Sequence, residues 1–139
     1  MNERSGNGGR RVVHRPAADD SGERTLAGSA EYVRRAGDPA TLGDRVGALW
    51  RLYCREDHAL TFAFEAAADR RATTVGAPFV LDVIWTVDGR VTRVAHLHAW
   101  RDAARGAGDA VIELPGGAAA AVTVGDEVVV QPQSTRSTA

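Results

Sequence analysis

The chain has 139 residues, enough for one domain that buries its own core without disulfides or metal ions. Its 17 Lys+Arg and 18 Asp+Glu give a net charge of -1, so it has no basic field of the kind that binds nucleic acid or an anionic membrane. The single cysteine, Cys54, has no partner for an internal disulfide, and no apolar run approaches the roughly 20 residues that span a bilayer. We therefore expect a soluble, cytoplasmic protein without nucleic-acid or membrane partners.

The composition changes along the chain and predicts four segments. Residues 1–10 are polar and Gly-rich, which is typical of disorder, and residues 131–139 form a similar tail. Residues 11–102 carry the periodic apolar patterns of a folded domain. Residues 103–130 shift to Ala, Gly and Asp with two short apolar runs, which predict an extension with a possible hairpin.

The first predicted elements are a strand and a helix. Val12 and Val13 precede Pro16, which cannot donate to a ladder, so we expect a short edge strand. From Leu26 to Arg35 the apolar or small residues fall at helical spacing, which predicts one short helix.

The following segments predict strands. Side chains alternate between apolar and polar from Val46 to Cys54, and again from Leu60 to Ala66. Residues 77–86 are apolar at nearly every position, which is typical of a strand covered on both faces. Asp88-Gly89 then predicts a hairpin turn, with residues 91–100 as the returning strand. Residues from about 48 to 100 should therefore form a curved antiparallel sheet of at least four strands.

This order of elements resembles the nuclear transport factor 2-like superfamily, which includes SnoaL-type polyketide cyclases and ketosteroid isomerases. The resemblance covers residues 11–102, beginning with a short strand that ends in His14-Arg15-Pro16 and the sequence Gly-Glu-Arg-Thr-Leu-Ala-Gly of residues 22–28. The hairpin from Leu81 to Trp100 is similar to the last hairpin of an isomerase, and residues 59–65 are similar to its preceding strand. The resemblance implies an α+β fold, with a curved, cone-shaped antiparallel sheet and one or two short helices, but without the superfamily's long N-terminal helix.

The resemblance also implies a pocket for an apolar small molecule, in which a polycyclic ketone is isomerised or cyclised by proton transfer. Asp82 lies at or within one residue of the isomerase's protonated acid, whereas Arg15 stands where that family has its general base. His96 or His98 would then act as the base. The candidate catalytic residues are Asp82, His96 and His98, and the candidate substrate-binding residues are Trp100, His14 and Trp50. No cofactor is expected, and the apolar back of the sheet suggests a homodimer.

The length of the turn at Asp88-Gly89 decides which side chains share a face with Asp82, because side chains alternate along a strand. A two-residue turn pairs Asp82 with Ala95 and leaves the two histidines on the opposite face. A three-residue loop from Val87 to Gly89 pairs Asp82 with Val94 and gathers His96, His98 and Trp100 with Asp82. We prefer the second register, because it separates a polar face from a continuous apolar one.

Two other functions stay open. The chain could be a non-catalytic ligand-binding or dimerisation module, because several of the isomerase's groups are missing. Alternatively, His96-x-His98 places two imidazoles on one face of a strand and resembles a cupin's first metal motif, with Asp82 or Asp102 as a third ligand. No histidine follows residue 98, so a second cupin motif is missing, and we expect no metal.

Overall fold

A computed structural model describes residues 9–18, 22–34 and 57–132 of the chain. These residues form one eight-stranded sheet and contain no helix. The strands are β1 Arg10–Arg15, β2 Arg24–Ala27, β3 Ser29–Arg34, β4 His58–Thr73, β5 Leu81–Val87, β6 Arg90–Leu97, β7 Ala103–Pro115 and β8 Glu127–Pro132. The predicted α+β class is therefore wrong for the described residues, which are all-β.

The strand order is β2-β1-β8-β6-β5-β7-β4-β3. The sheet is mixed, because β3 runs parallel to β4 while the other pairs are antiparallel. Its two end strands, β2 and β3, follow one another in the chain with only Gly28 between them. The sheet must therefore curve until its ends meet. The predicted antiparallel meander is wrong, because β7 lies between β4 and β5 and β3 runs parallel to β4.

The helix predicted from Leu26 to Arg35 is wrong, because residues 24–34 form β2 and β3 instead. Ala27 pairs with Val12 of β1, and Ala30 pairs with Ala59 of β4. Both partners are distant in sequence, so local helical spacing was overridden by strand pairing that the local pattern does not show.

The hairpin of β5 and β6 follows neither predicted register. Asp88 and Gly89 form a two-residue turn, and their φ angles of 51° and 80° are those of a type I′ turn. Val87 therefore faces Arg90, but β6 carries one extra residue, Thr92, and the register shifts beyond it. This bulge places Asp82 directly opposite His96, on the face that the preferred register predicted.

Both faces of β5 are buried, as the apolar run of residues 77–86 predicted. Leu81, Val83 and Trp85 belong to one apolar cluster, whereas Ile84 belongs to a second cluster on the other face. This separation follows from the alternation of side chains along a strand. Asp82 and Thr86 share the face of Ile84 and are also buried.

One end of the antiparallel pair formed by β4 and β7 helps to cover Trp85. A large bulge between Ala63 and Ala68 interrupts the pairing of β4 with β7. Beyond it, the Arg70 carbonyl accepts a hydrogen bond from Trp85 Nε1 at 2.9 Å, and Gly106 lies against the indole ring. The apolar back of the sheet, which suggested a dimer surface, is thus buried within the chain. The homodimer stays a prediction, but this surface no longer supports it.

Residues 103–130, predicted as an extension, contribute β7 and most of β8, and both strands lie inside the strand order. The strand predicted from Val46 to Cys54, with Trp50, lies outside the described residues. So do most of the predicted disordered ends. Within the described part of the chain, no helix has the length and apolarity needed to cross a membrane.

Gly106→Ala should destabilise the fold. The added Cβ would lie 2.7 Å from Cγ and Cδ2 of Trp85, whose side chain is fully buried and cannot move aside. Overpacking of this kind costs about 1–3 kcal/mol. Urea denaturation of the wild type and the variant measures the loss in free energy of unfolding.

The matched control is the same substitution in a Trp85→Leu background, where the smaller side chain leaves room for the methyl group. Gly106→Ala should cost less there than in the wild type. An equal cost in both backgrounds would show that the indole contact is not the cause.

Candidate functional site

Asp82 and His96 form a hydrogen-bonded pair across β5 and β6. His96 Nδ1 lies 2.6 Å from Asp82 Oδ1. The Asp82 side chain is only 6% exposed, whereas 51% of the His96 side chain is exposed. The buried Asp82 carboxylate thus holds His96 at Nδ1, while the opposite edge of the imidazole reaches solvent.

The second oxygen of Asp82 is also occupied. The backbone N–H of Ala119, in the turn after β7, donates to Asp82 Oδ2 at 2.8 Å. Because both oxygens have partners within the chain, Asp82 is placed to orient His96 rather than to donate a hydrogen bond to a bound molecule. The same contact ties β5 to the turn that follows β7.

His98 and Asp102 form a second pair beside the first. His98 Nδ1 lies 2.9 Å from Asp102 Oδ2, and the backbone N–H of His98 donates to the same oxygen at 2.7 Å. The hydrogen bond from this N–H, followed by that from the imidazole, holds the pKa of Asp102 below its usual value. The Asp102 backbone is fixed by Thr73 Oγ1, which donates to its carbonyl at 3.0 Å, and by Thr74 Oγ1, which accepts from its N–H at 3.1 Å.

The two imidazoles lie next to each other. Their ring centroids are 5.2 Å apart and their planes meet at 89°. Neither Nε2 atom has a hydrogen-bond partner among the described residues. The structure therefore brings three sequence-predicted residues, Asp82, His96 and His98, onto one face, with Asp102 as a fourth.

Trp100 follows His98 by two residues in a strained conformation. Its φ of 77° is unusual for a bulky residue and costs on the order of 1–3 kcal/mol. The turn is held because Trp100 N–H donates to the Ala77 carbonyl at 2.9 Å, and Gly76 N–H donates to the Trp100 carbonyl at 3.2 Å. The residue is 59% exposed.

The other two predicted substrate-binding residues are placed differently. Trp50 lies outside the described residues. His14 is fully buried, and its Nε2 lies 2.8 Å from Asp126 Oδ2, so it contacts the interior rather than solvent. His58 is also buried, and Ser29 Oγ lies 2.6 Å from its Nδ1.

Asp126, which the sequence reasoning did not select as a site residue, is a buried anchor between β1 and the turn before β8. Burial alone would raise the pKa of its carboxyl, but hydrogen bonds from the N–H groups of Ala17 and Thr123 and from His14 outweigh this and hold the pKa well below its usual value. No pattern in the sequence marks this contact, because His14 and Asp126 are 112 residues apart.

Asp126→Asn should destabilise the protein by about 2–3 kcal/mol at neutral pH, because hydrogen bonds to a charged group become bonds to a neutral one. The folded-state pKa lies below the unfolded value, so this stability is present above about pH 4 and is lost as the pH falls through the folded-state pKa. The difference from the wild type should shrink in urea denaturation at acidic pH.

The control for this measurement is Asp69→Asn, which removes an exposed carboxylate that pairs with Arg105. Its effect should stay within about 0.5 kcal/mol at either pH. If the Asp126→Asn deficit were the same at neutral and acidic pH, the charge of Asp126 would not be its source.

Both site histidines should carry their neutral-state proton on Nδ1, because an ionised carboxylate accepts there. Long-range ¹H–¹⁵N correlation spectra distinguish this tautomer from the Nε2–H form. Asp102→Asn should reduce the preference in His98 and leave His96 unchanged. Predominant Nε2–H signals from both rings in the wild type would contradict the two pairings.

Comparison with known proteins places the chain in a different family from the one that the sequence resembled. The model of the family DUF192, described as "Uncharacterized ACR, COG1430", matches residues 40–130. No curated protein matches the chain. The nuclear transport factor 2-like, SnoaL and ketosteroid isomerase assignment is therefore wrong, and the helix-free sheet of the described residues agrees with that correction.

Two solved structures share the fold. One is a Sinorhizobium meliloti 1021 protein provisionally described as a transcription regulator, with a TM-score of 0.62 and 16% identity over 87% of this chain and 93% of its own. The other is a protein of unknown function from Novosphingobium aromaticivorans DSM 12444, with a TM-score of 0.64 and 21% identity over 86% of this chain and 83% of its own. At these identities the likeness concerns the fold alone.

Proposed function

The chain belongs to the DUF192 family, and for this member we propose an acid–base function in which His96 transfers a proton to and from a small molecule. One observation supports it above the others. A buried carboxylate, Asp82, holds His96 through Nδ1 at 2.6 Å, while Nε2 is left without a partner among the described residues.

The proposed mechanism uses His96 as base and Asp82 as the group that positions it. With the proton on Nδ1, the Nε2 lone pair accepts a proton from the bound molecule. The resulting imidazolium is stabilised by Asp82, and the proton is returned from Nε2 to a different atom of the same molecule. Asp82 itself stays hydrogen-bonded to Ala119 throughout, so no rearrangement of β5 is required.

His98 supplies a second imidazole for the same molecule. Its ring centroid is 5.2 Å from that of His96, a distance that a molecule of a few atoms can bridge. Asp102 holds His98 through Nδ1, in the way that Asp82 holds His96. When His98 also carries a proton on Nε2, it can donate that proton to one end of a substrate while His96 accepts a proton from the other end.

The substrate is proposed to be a small carbonyl compound rather than a polycyclic ketone. The polycyclic ketone was implied only by a family resemblance that the comparisons overturn. The His96 and His98 side chains are 51% and 76% exposed, which suits a polar molecule that stays partly hydrated. Trp100 offers an exposed aromatic face for the apolar part of such a molecule.

A second candidate function is binding without catalysis, and the same exposure favours it. General acid–base catalysis is most effective where water is excluded, and two imidazoles this open to solvent gain little from a low local dielectric. In that case the Asp82–His96 and Asp102–His98 pairs would hold the two imidazoles in a fixed geometry for hydrogen bonds to a ligand.

Deuterium exchange at the α-carbon tests the proposal. Small ketones, aldehydes and keto acids are incubated with chelator-treated protein in D₂O and followed by NMR. We expect at least one compound to exchange above the buffer rate, and His96→Gln to reduce that rate about 10²- to 10⁴-fold. His98→Gln should reduce it less, and Asp69→Asn should leave it unchanged.

Exchange at the buffer rate for every compound would refute the catalytic proposal. Saturable binding of one of these compounds, seen as shifts of the His96 and His98 signals without exchange, would instead support the binding module. Exchange that persists in His96→Gln would place the base elsewhere in the chain.

A further inference from the structure

We infer that His96 and His98 together bind one divalent transition-metal ion through their Nε2 atoms. This inference goes beyond the proposed proton transfer and opposes it, because the metal takes the lone pair that His96 would use as a base. The ion is therefore expected to bind the resting site and to inhibit the reaction.

The spacing of the two rings is the first argument. In a tetrahedral site the metal–nitrogen distance is about 2.05 Å, and the centre of an imidazole lies about 1.1 Å beyond its nitrogen. Two such rings separated by about 109° at the metal have centroids about 5.1 Å apart, by simple trigonometry on those lengths. The His96 and His98 centroids are 5.2 Å apart. The separation of the two rings is therefore close to the one that shared coordination requires.

The carboxylates behind the rings are the second argument. Histidines that ligate metals nearly always donate their other ring N–H to a carboxylate, carbonyl or water, which fixes the ring and raises its basicity. Here both histidines have a carboxylate at Nδ1, with Asp82 at 2.6 Å and Asp102 at 2.9 Å. Both rings thus have the kind of support at Nδ1 that metal-ligating histidines have.

The donor set indicates which ions fit. Imidazole nitrogen suits Zn²⁺, Ni²⁺ and Cu²⁺, whereas Mg²⁺ and Ca²⁺ require oxygen ligands. No group of three or more His, Cys, Asp or Glu side chains among residues 9–18, 22–34 and 57–132 is arranged to hold a metal. The proposed ion accordingly has two protein ligands, and water or a small molecule takes its other positions.

The experiment is titration of the full chain, purified without a polyhistidine tag and stripped with chelator, with ZnCl₂ and NiCl₂ in a calorimeter. Native mass spectrometry of the same samples gives the stoichiometry. We expect one ion per chain. His96→Gln and His98→Gln should each weaken binding at least tenfold, and MgCl₂ should show no binding at the same concentrations.

Asp102→Asn separates a built site from simple chelation by two neighbouring histidines. Loss of such a supporting carboxylate weakens metal affinity about 10- to 100-fold, whereas bare chelation would be unaffected. Asp69→Asn is the matched control, because it removes an exposed carboxylate that pairs with Arg105 instead of a histidine. Circular dichroism of each variant checks that the fold is retained.

Three results would overturn the inference: no binding by the wild type, binding unchanged in both histidine variants, or binding unchanged in Asp102→Asn. The titration contains no substrate, so its outcome is independent of whether His96 transfers protons. If both hold, ZnCl₂ should slow α-carbon exchange at the concentrations that saturate the calorimetric titration, and chelator should restore it.

Discussion

The extra residue in β6, Thr92, is the constraint on which the site depends. The two-residue turn at Asp88-Gly89 alone would pair Asp82 with Ala95 and send the histidines to the opposite face. The bulge moves the register by one, so that Asp82 faces His96. His98 lies two residues further on the same face. One inserted residue thus determines that a buried carboxylate and two exposed imidazoles meet.

Once that register is fixed, Asp82 connects the site to the rest of the fold. Its two oxygens join β6, through His96, to the turn after β7, through the Ala119 N–H. Burial of an ionisable group is costly unless it has such partners, so the contacts that stabilise Asp82 also orient the imidazole. The His14–Asp126 contact meets the same requirement between β1 and the turn before β8, but both of its groups are buried and its role is structural. Exposure separates these two contacts, because 51% of the His96 side chain is exposed whereas the His14 side chain is fully buried.

Local features of the sheet could be predicted from the sequence, whereas its topology could not. The Asp88-Gly89 turn forms as predicted because positive φ is cheap for glycine and tolerated by aspartate. The unbroken apolar run of residues 77–86 indicated a strand with both faces covered, and β5 has both faces buried. By contrast, the pairing of β1 with β8 and of β3 with β4 joins segments that no local pattern relates. The spacing of Leu26, Ala27 and Ala30 fits a helix as well as two strands separated by Gly28, and only the distant partners decide between them.

The sequence predicted which residues belong to the candidate site better than it predicted how they are arranged. Asp82 was selected because a family resemblance placed it at an acid, and His96 and His98 because the preferred register put them on the same face as Asp82. Their place on one face was predicted from a three-residue loop, whereas the bulge at Thr92 that produces it has no signature in the residues around it. The hydrogen bond from the Ala119 N–H to Asp82 could not be predicted either, because every residue except proline supplies a backbone donor.

A double-mutant cycle between Asp82 and His96 tests the central claim, that these two side chains interact directly and support each other. Asp82→Asn, His96→Gln and the double variant are compared with the wild type by urea denaturation at neutral pH. A direct contact predicts a coupling energy of about 1 kcal/mol or more in the free energy of unfolding. Effects of the two substitutions that add to within about 0.3 kcal/mol would contradict the pairing and, with it, the site.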